Sequence, residues 1–271
     1  MRQHTGPTRS STRRILSAIA TVLLAVAMTV SLVPGAVAGD GGDPAAAAEA
    51  EVFRQIELLD STAAQLPPIK CAKAGQRAGW RGMNLVLATA ISLAESGCDP
   101  SATGTNPPTE GCPSGSRDRG AWQINDCYHP GVPDSCAYDL QCNANAAYQI
   151  YLDRSSTFQP WTTYNQRTFR FFLSESRKAV RKLTGENIVI GVVLTEGGPL
   201  NVRNKPRTSG DVVGQLADNA VVRIRCQTRG EAVYSPIFGY VTRVWDSDGP
   251  GRYFSDGYVH TDARERIAPP C

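Results

Sequence analysis

Residues 82–94, Gly-Met-Asn-Leu-Val-Leu-Ala-Thr-Ala-Ile-Ser-Leu-Ala, are almost all small or apolar, and the run ends at Glu95. A helix that is apolar on every side belongs in a core, so this stretch has to be the rod on which other elements pack. Gly97 and Pro100 supply stop signals, which puts Glu95 in the last turn. Ala88, Ile91 and Glu95 then share one face. A carboxyl there is disfavoured as an anion twice over, by desolvation and by the negative end of the helix. The stretch therefore predicts an acid that keeps its proton near neutral pH, a candidate general acid. The competing reading is an acid that caps a turn or pairs with an arginine.

The first residues have the pattern of a secretion signal, residues 1–38. Arg2, Arg9, Arg13 and Arg14 form a leader without acids, an apolar run follows from Ile15 to about Val33, and Ala36-Val37-Ala38 is a small-x-small cleavage pattern. An uncleaved anchor is the alternative, because the run is nearly long enough to span a membrane. Arg13-Arg14 hints at the folded-export route. Removing the segment takes four arginines from the 28 basic residues, leaving 24 against 25 acidic, so net +3 becomes −1. A chain that close to neutral gives no support to nucleic-acid binding.

All eight cysteines follow the signal: Cys71, Cys98, Cys112, Cys127, Cys136, Cys142, Cys226 and Cys271. An even number in an exported chain predicts disulfides. Zinc is disfavoured, since no C-x-x-C pair occurs and only His129 and His260 remain after the signal. The clustering of six cysteines between 71 and 142 predicts a stapled first domain, and a second domain closed by Cys226–Cys271. Pairing among the first six stays open.

Along the chain, residues 39–68 read as a spacer with a helical pattern over 49–66 (Phe53, Ile56 and Leu59 on one face), stopped by Pro67-Pro68. Residues 69–183 read as a mainly helical domain. It has a short helix over 71–78, a turn at 79–82 and a Pro/Gly/Ser-rich loop over 99–119. Further helices are expected over 143–152 and 174–183, the last ended by Gly185. A linker is expected over 184–190. From Ile188 the pattern changes to short β-branched runs, beginning with Ile188-Val189-Ile190 and punctuated by Gly, Asp, Asn and Pro; the hinge is expected between Leu183 and Gly191, and residues 191–271 have the pattern of a small all-β barrel or sandwich. The fold class predicted is α+β multidomain.

Several motifs also carry a resemblance. A-E-S-G-C-D-P-S-A-T-G-T-N, residues 94–106, resembles the catalytic-acid segment of lytic transglycosylases and lysozymes. S-R-D-R-G-A-W-Q-I-N, residues 116–125, resembles the hairpin across the cleft of C-type lysozymes. Residues 143–150 and F-Q-P-W-T-T-Y-N, residues 158–165, are similar to later motifs of transglycosylase domains. Over residues 69–172 the chain thus resembles the lysozyme-like superfamily, which implies a mainly α lysozyme-like domain. The resemblance implies that Glu95 is the proton donor and Asp118 a second carboxylate, nucleophile or ion stabiliser. A turn aspartate paired with Arg117 or Arg119 is the alternative for Asp118. It further implies that Tyr164 orients the acid and the substrate, and that Ser96, Gln123, Asn125 and Asn165 bind substrate. Trp122 and Trp161 would stack on sugar rings, or simply pack. No cofactor and no metal is implied. One departure is that Gln166-Arg167 stand where a glycine commonly follows the Tyr-Asn pair.

Residues 191–271 resemble a bacterial SH3-like cell-wall-binding module, through L-N-V-R-N-K-P at 200–206, Trp245, and Y-F-S-D-G-Y-V-H-T at 253–261. Such a module would hold peptide stems and raise the local concentration of an enzyme on its polymer; the alternative is a stability domain without a ligand. Together the resemblances imply a secreted peptidoglycan-cleaving glycosidase acting on the β-1,4 bond between N-acetylmuramic acid and N-acetylglucosamine. It would work by lytic transglycosylation or by retaining hydrolysis. Its partners would be glycan strands and peptide stems, with no nucleic acid and no stable membrane insertion after cleavage, as a monomer. The alternative from another class is a non-catalytic peptidoglycan-binding or cell-wall signalling protein. A cysteine peptidase built on Asp126-Cys127 is disfavoured: His129 is too near to serve as its base, and His260 belongs to the β region.

Overall fold

The structure is a computed structural model that describes residues 67–271. The signal and the helix expected over 49–66 lie outside the described residues. No helix among the described residues is long and apolar enough to cross a membrane.

Helix α1 runs Pro67–Ala78. The two prolines thus open this helix. The first turn needs no amide protons, and the fixed proline φ suits it. Helix α2, Gly82–Ser96, is the expected central rod, and every residue from 85 to 93 is buried. Gly97 ends it at φ 70°, with its amide on the Leu93 carbonyl. The polar residues inside the rod are satisfied locally: Thr89 Oγ1 donates to the Leu85 carbonyl and Ser92 Oγ to that of Ala121. Helices α3 (Asp134–Ala137), α4 (Leu140–Asp153), α5 (Thr162–Asn165) and α6 (Leu173–Thr184), with a 3-10 turn at Thr168–Phe172, complete this part. Asp139 caps α4 through the Cys142 amide, and Gly185 at φ 76° ends α6.

The stretch expected as loop over 99–119 contains two strands. β1 (Thr103–Asn106), β2 (Ser116–Arg119) and β3 (Ile124–Asn125) form a small antiparallel sheet. They escaped the sequence pattern because they are short and polar, with little apolar alternation to read. One buried amide locks the sheet to α4. Asn143 accepts from the Trp122 amide and donates to the carbonyls of Arg119 and Ala137.

The disulfides are Cys71–Cys98, Cys112–Cys127, Cys136–Cys142 and Cys226–Cys271, and no cysteine is free for a metal. The first ties α1 to the residues just after Glu95.

The remaining strands are β4 (Val189–Val193), β5 (Leu200–Arg203), β6 (Val212–Leu216), β7 (Val221–Ile224), β8 (Cys226–Ser235), β9 (Tyr240–Gly249), β10 (Arg252–Ser255) and β11 (Val259–His260). Their ladders form a five-stranded sheet, β6-β5-β10-β9-β8, and a three-stranded sheet, β11-β4-β7, rather than one closed barrel ladder. The segment 184–190 runs into β4, whose five residues are all buried, so its last two residues are strand. Ile188, Ile190 and Val192 join the core of the helices, together with Leu173 and Val180. Val189 and Val193 join the β core, with Val202 and Phe254. Alternation along one strand therefore serves two cores. Asp262 adds a polar clasp by accepting from the Ser174 amide at the start of α6 (3.4 Å).

Two carboxyls lie inside the β part. Asp246 is wholly buried and Asp256 nearly so. Burial pushes Asp256 up to about 7. Burial, then the neighbouring Asp256, hold Asp246 well above the usual range. A folded-state value raised above the unfolded one gives stability that is full below about pH 4 and lost as pH rises through about 7. Urea unfolding midpoints are therefore expected to fall between pH 5 and pH 8, and Asp256→Asn is expected to flatten that slope. An unchanged slope in the variant would refute the assignment.

Candidate active site

Burial of α2 forces its last turn to the edge of the core, and there Glu95 lines an open cavity of about 400 Å³. Glu95 Oε1 accepts the Thr163 hydroxyl at 2.6 Å and the Thr163 amide at 3.4 Å. Both donors come from α5. Desolvation raises the Glu95 pKa; the Thr163 bonds pull it down, and the Asp118 carboxylate adds a smaller push upward. With two donors on Oε1, a proton on this carboxyl belongs on Oε2. The reading of Glu95 as an arginine's partner fails, since no ion pair to it exists among the described residues.

Asp118 lines the same cavity. Strand alternation sends Arg117 and Arg119 to the other face of β2. There Arg117 pairs with Asp126 (2.9 Å), and Arg119 with Asp134 (2.7 Å). Asp118 therefore is not held by either arginine. Two amides hold it: Asn125 Nδ2 donates to Oδ1 at 2.7 Å and Asn106 Nδ2 to Oδ2 at 2.8 Å. Gly104 pairs across from Asp118, and a Cβ there would lie 3.2 Å from Gln123 Oε1, so the missing side chain leaves space at the cavity wall.

Asn125 lines the cavity, but it has nothing left to offer a sugar. Its Nδ2 protons go to Asp118 and Ser116, and its Oδ1 accepts the amides of Cys127 and Tyr128. It positions Asp118. Gln123 spends its Nε2 on the carbonyls of Gly120 and Ala102, which leaves Oε1 as its acceptor toward the cavity.

Of the two tryptophans, Trp122 takes the packing alternative and only Trp161 borders the cavity. Trp122 is 1 % exposed, stacked on Trp80, with Nε1 on the Ala88 carbonyl. A ring so enclosed cannot stack on a ligand. Trp161 reaches the cavity wall yet is buried too, its Nε1 donating to the Trp122 carbonyl. Ser96, Tyr164 and Asn165 do not line the cavity. Ser96 Oγ bonds the Ala121 carbonyl and accepts the Asp99 amide. Asn165 Nδ2 holds the Gln159 carbonyl. Tyr164 stacks on Phe169, under the Arg167 guanidinium; it supports α5 from behind while its neighbour Thr163 touches Glu95. Arg167, where a glycine was expected, takes the left-handed conformation a glycine favours (φ 61°) and donates Nη1 to the Tyr164 carbonyl.

Sequence reasoning missed Thr163, Asn106, Tyr128 and His129. Thr163 and Asn106 stand inside the quoted motifs, but nothing local says which polar group will reach across to a carboxyl. Tyr128 is 65 % exposed at the cavity wall, beside the Cys112–Cys127 bridge. It offers the open aromatic face that Trp122 does not. His129, next to it on the wall, has its pKa lowered by burial and then by Arg154, which favours a neutral ring that can both donate and accept.

Residues 72–163 match a family model described as a lysozyme-like domain, and this supports a place in the lysozyme-like superfamily for the helical part. The match stops before the β part. No curated protein and no solved structure matches the chain.

Because the Thr163 bonds lower the Glu95 pKa, Thr163→Val is expected to raise it further. A carboxyl-carbon NMR titration reads this directly; an unchanged or lower value would contradict the geometry.

Proposed function

We propose that the chain is a secreted peptidoglycan-cleaving glycosidase that cuts the β-1,4 bond between N-acetylmuramic acid and N-acetylglucosamine. The observation that carries this reading is the pairing of two unlike carboxyls on one cavity wall. Desolvation raises the Glu95 pKa, and its Oε1 takes both Thr163 donors, which leaves Oε2 for a proton, while Asp118 is oriented by two amides and paired with no arginine.

In this mechanism a glycan strand lies in the cavity with a sugar ring against Tyr128. The Gln123 carbonyl oxygen accepts a hydrogen bond from an N-acetyl N–H or a hydroxyl group. Glu95 Oε2 gives its proton to the glycosidic oxygen, the bond to the anomeric carbon breaks, and positive charge develops on the ring. Asp118 stabilises or captures that centre. Glu95, now a carboxylate, takes a proton from water as the water adds, which regenerates the acid and completes a retaining hydrolysis. The competing route is lytic transglycosylation, in which the 6-hydroxyl of the same sugar attacks and Glu95 again takes the proton. Asp118 on the cavity wall and Tyr164 away from it favour hydrolysis. The β part, on this reading an SH3-like module, keeps the enzyme on the wall.

Glu95→Gln is expected to lower clearing of purified peptidoglycan in a zymogram by about 10² or more. No clearing by the unaltered protein would instead favour a wall-binding protein without activity. Mass spectrometry of the products separates the two routes, because anhydro ends are lighter by one water. On the hydrolytic reading, anhydro ends are absent and Asp118→Asn costs about 10²-fold or more in kcat.

The pH profile has a fixed sign. Glu95 must enter the reaction protonated, so activity is expected to fall as pH rises through its raised pKa. Thr163→Val is expected to move that limb to higher pH.

A further inference from the structure

The β part carries a second concave site, a groove of about 600 Å³. Arg223, Arg225 and Arg266 line it over a floor that includes Ile224 and Ile267, and no acidic residue does. All three arginines are exposed. None of the three side chains makes an ion pair or hydrogen bond with another described residue, although Glu265 immediately precedes Arg266. The chain without its leader is close to neutral, so this local excess of charge is not a reflection of bulk composition.

The backbone beneath the arginines is fixed. Arg223 sits on β7, paired with Ile190 of β4, and the Arg225 amide donates to the Ser247 carbonyl (2.8 Å). The tail bearing Arg266 is pinned by the fully buried Gln227, whose Oε1 accepts the amides of Ile267 and Ala268. The Cys226–Cys271 bridge closes it, and Asn187 Nδ2 holds the Ile267 carbonyl. Charges on an edge strand such as β7 ordinarily keep other strands away. Arg266 lies on the tail instead, and it still completes the groove.

We infer that this groove is a docking site for a phosphodiester-bearing polymer of the cell wall. Guanidinium forks match the several oxygens of a phosphate, and three of them lining one groove with no acid in its lining suit an anion repeated along a chain. The inference uses the proposed export to the wall, but not the proposed cleavage.

The test is calorimetry on the chain lacking residues 1–38, with poly(glycerol phosphate) as probe and poly(glutamate) of matched charge as the carboxylate comparison. Binding to the phosphate polymer is expected to weaken as salt rises. Arg223→Ala, Arg225→Ala and Arg266→Ala are each expected to raise Kd about five- to tenfold, and the triple alanine variant to abolish binding with an unchanged melting temperature. The triple lysine variant, which keeps charge but loses the forks, should recover only part. Equal affinity for poly(glutamate), salt-insensitive binding, or an unchanged Kd in the single variants would overturn the inference. Glu95→Gln should bind the polymer like its parent, so a failed zymogram leaves this result standing.

Discussion

A carboxyl at the rim of a water-poor core is pushed toward its protonated form by desolvation and pulled back by donors, and Glu95 feels both, with desolvation the larger. Its helix is buried for nine consecutive residues, from 85 to 93, so the last turn cannot retreat to solvent. Thr163 bonds one oxygen and thereby assigns the proton to the other. Everything around the cavity serves this asymmetry: the Cys71–Cys98 bridge fixes the end of the rod, and α5 brings the hydroxyl. Asp118 shares the wall yet answers to different partners, so two carboxyls of the same chemistry sit in unlike surroundings.

Saturated amides join the elements together. Asn125 binds four groups at once and so couples Asp118 to the backbone under Tyr128. Asn143 does the same between the small sheet and α4, and Gln227 between the β part and the tail. Buried polar groups with every bond made confer rigidity, whereas half-made ones cost free energy. The residues nearest the cavity thus divide into those that hold geometry and those with an atom left for a ligand. Glu95, Asp118, Gln123, Tyr128 and His129 are in the second set.

The central helix, its stop at Gly97 and the acid beside it were legible because apolar period and glycine punctuation are local signals. So were α4, α6 and the Cys226–Cys271 pairing. Long-range contacts were not. Tryptophans in a motif say nothing about which way the rings face, and here the aromatic packing around Trp80 claims Trp122. Tyr164 was read as the contact to the acid, but a short helix places the preceding threonine there instead. The hairpin of β2 and β3 was legible only through the resemblance of residues 116–125, whereas β1 and β8 were invisible because their residues are mostly polar and partly exposed. The run Ile188-Val189-Ile190 was legible as the start of the β pattern, but only the tertiary fold shows that its alternate side chains enter different cores.

That divided strand has a mechanical consequence. A module on a loose leash samples its surroundings independently, and a tug on it slackens before reaching its neighbour. Here the joint is the strand itself: Val189 and Val193 anchor it in the β core, while Ile188, Ile190 and Val192 anchor it among the helices. Under the proposed reading, tension in the wall polymer would pass from the β part to the helical part through that shared segment and not through a slack tether.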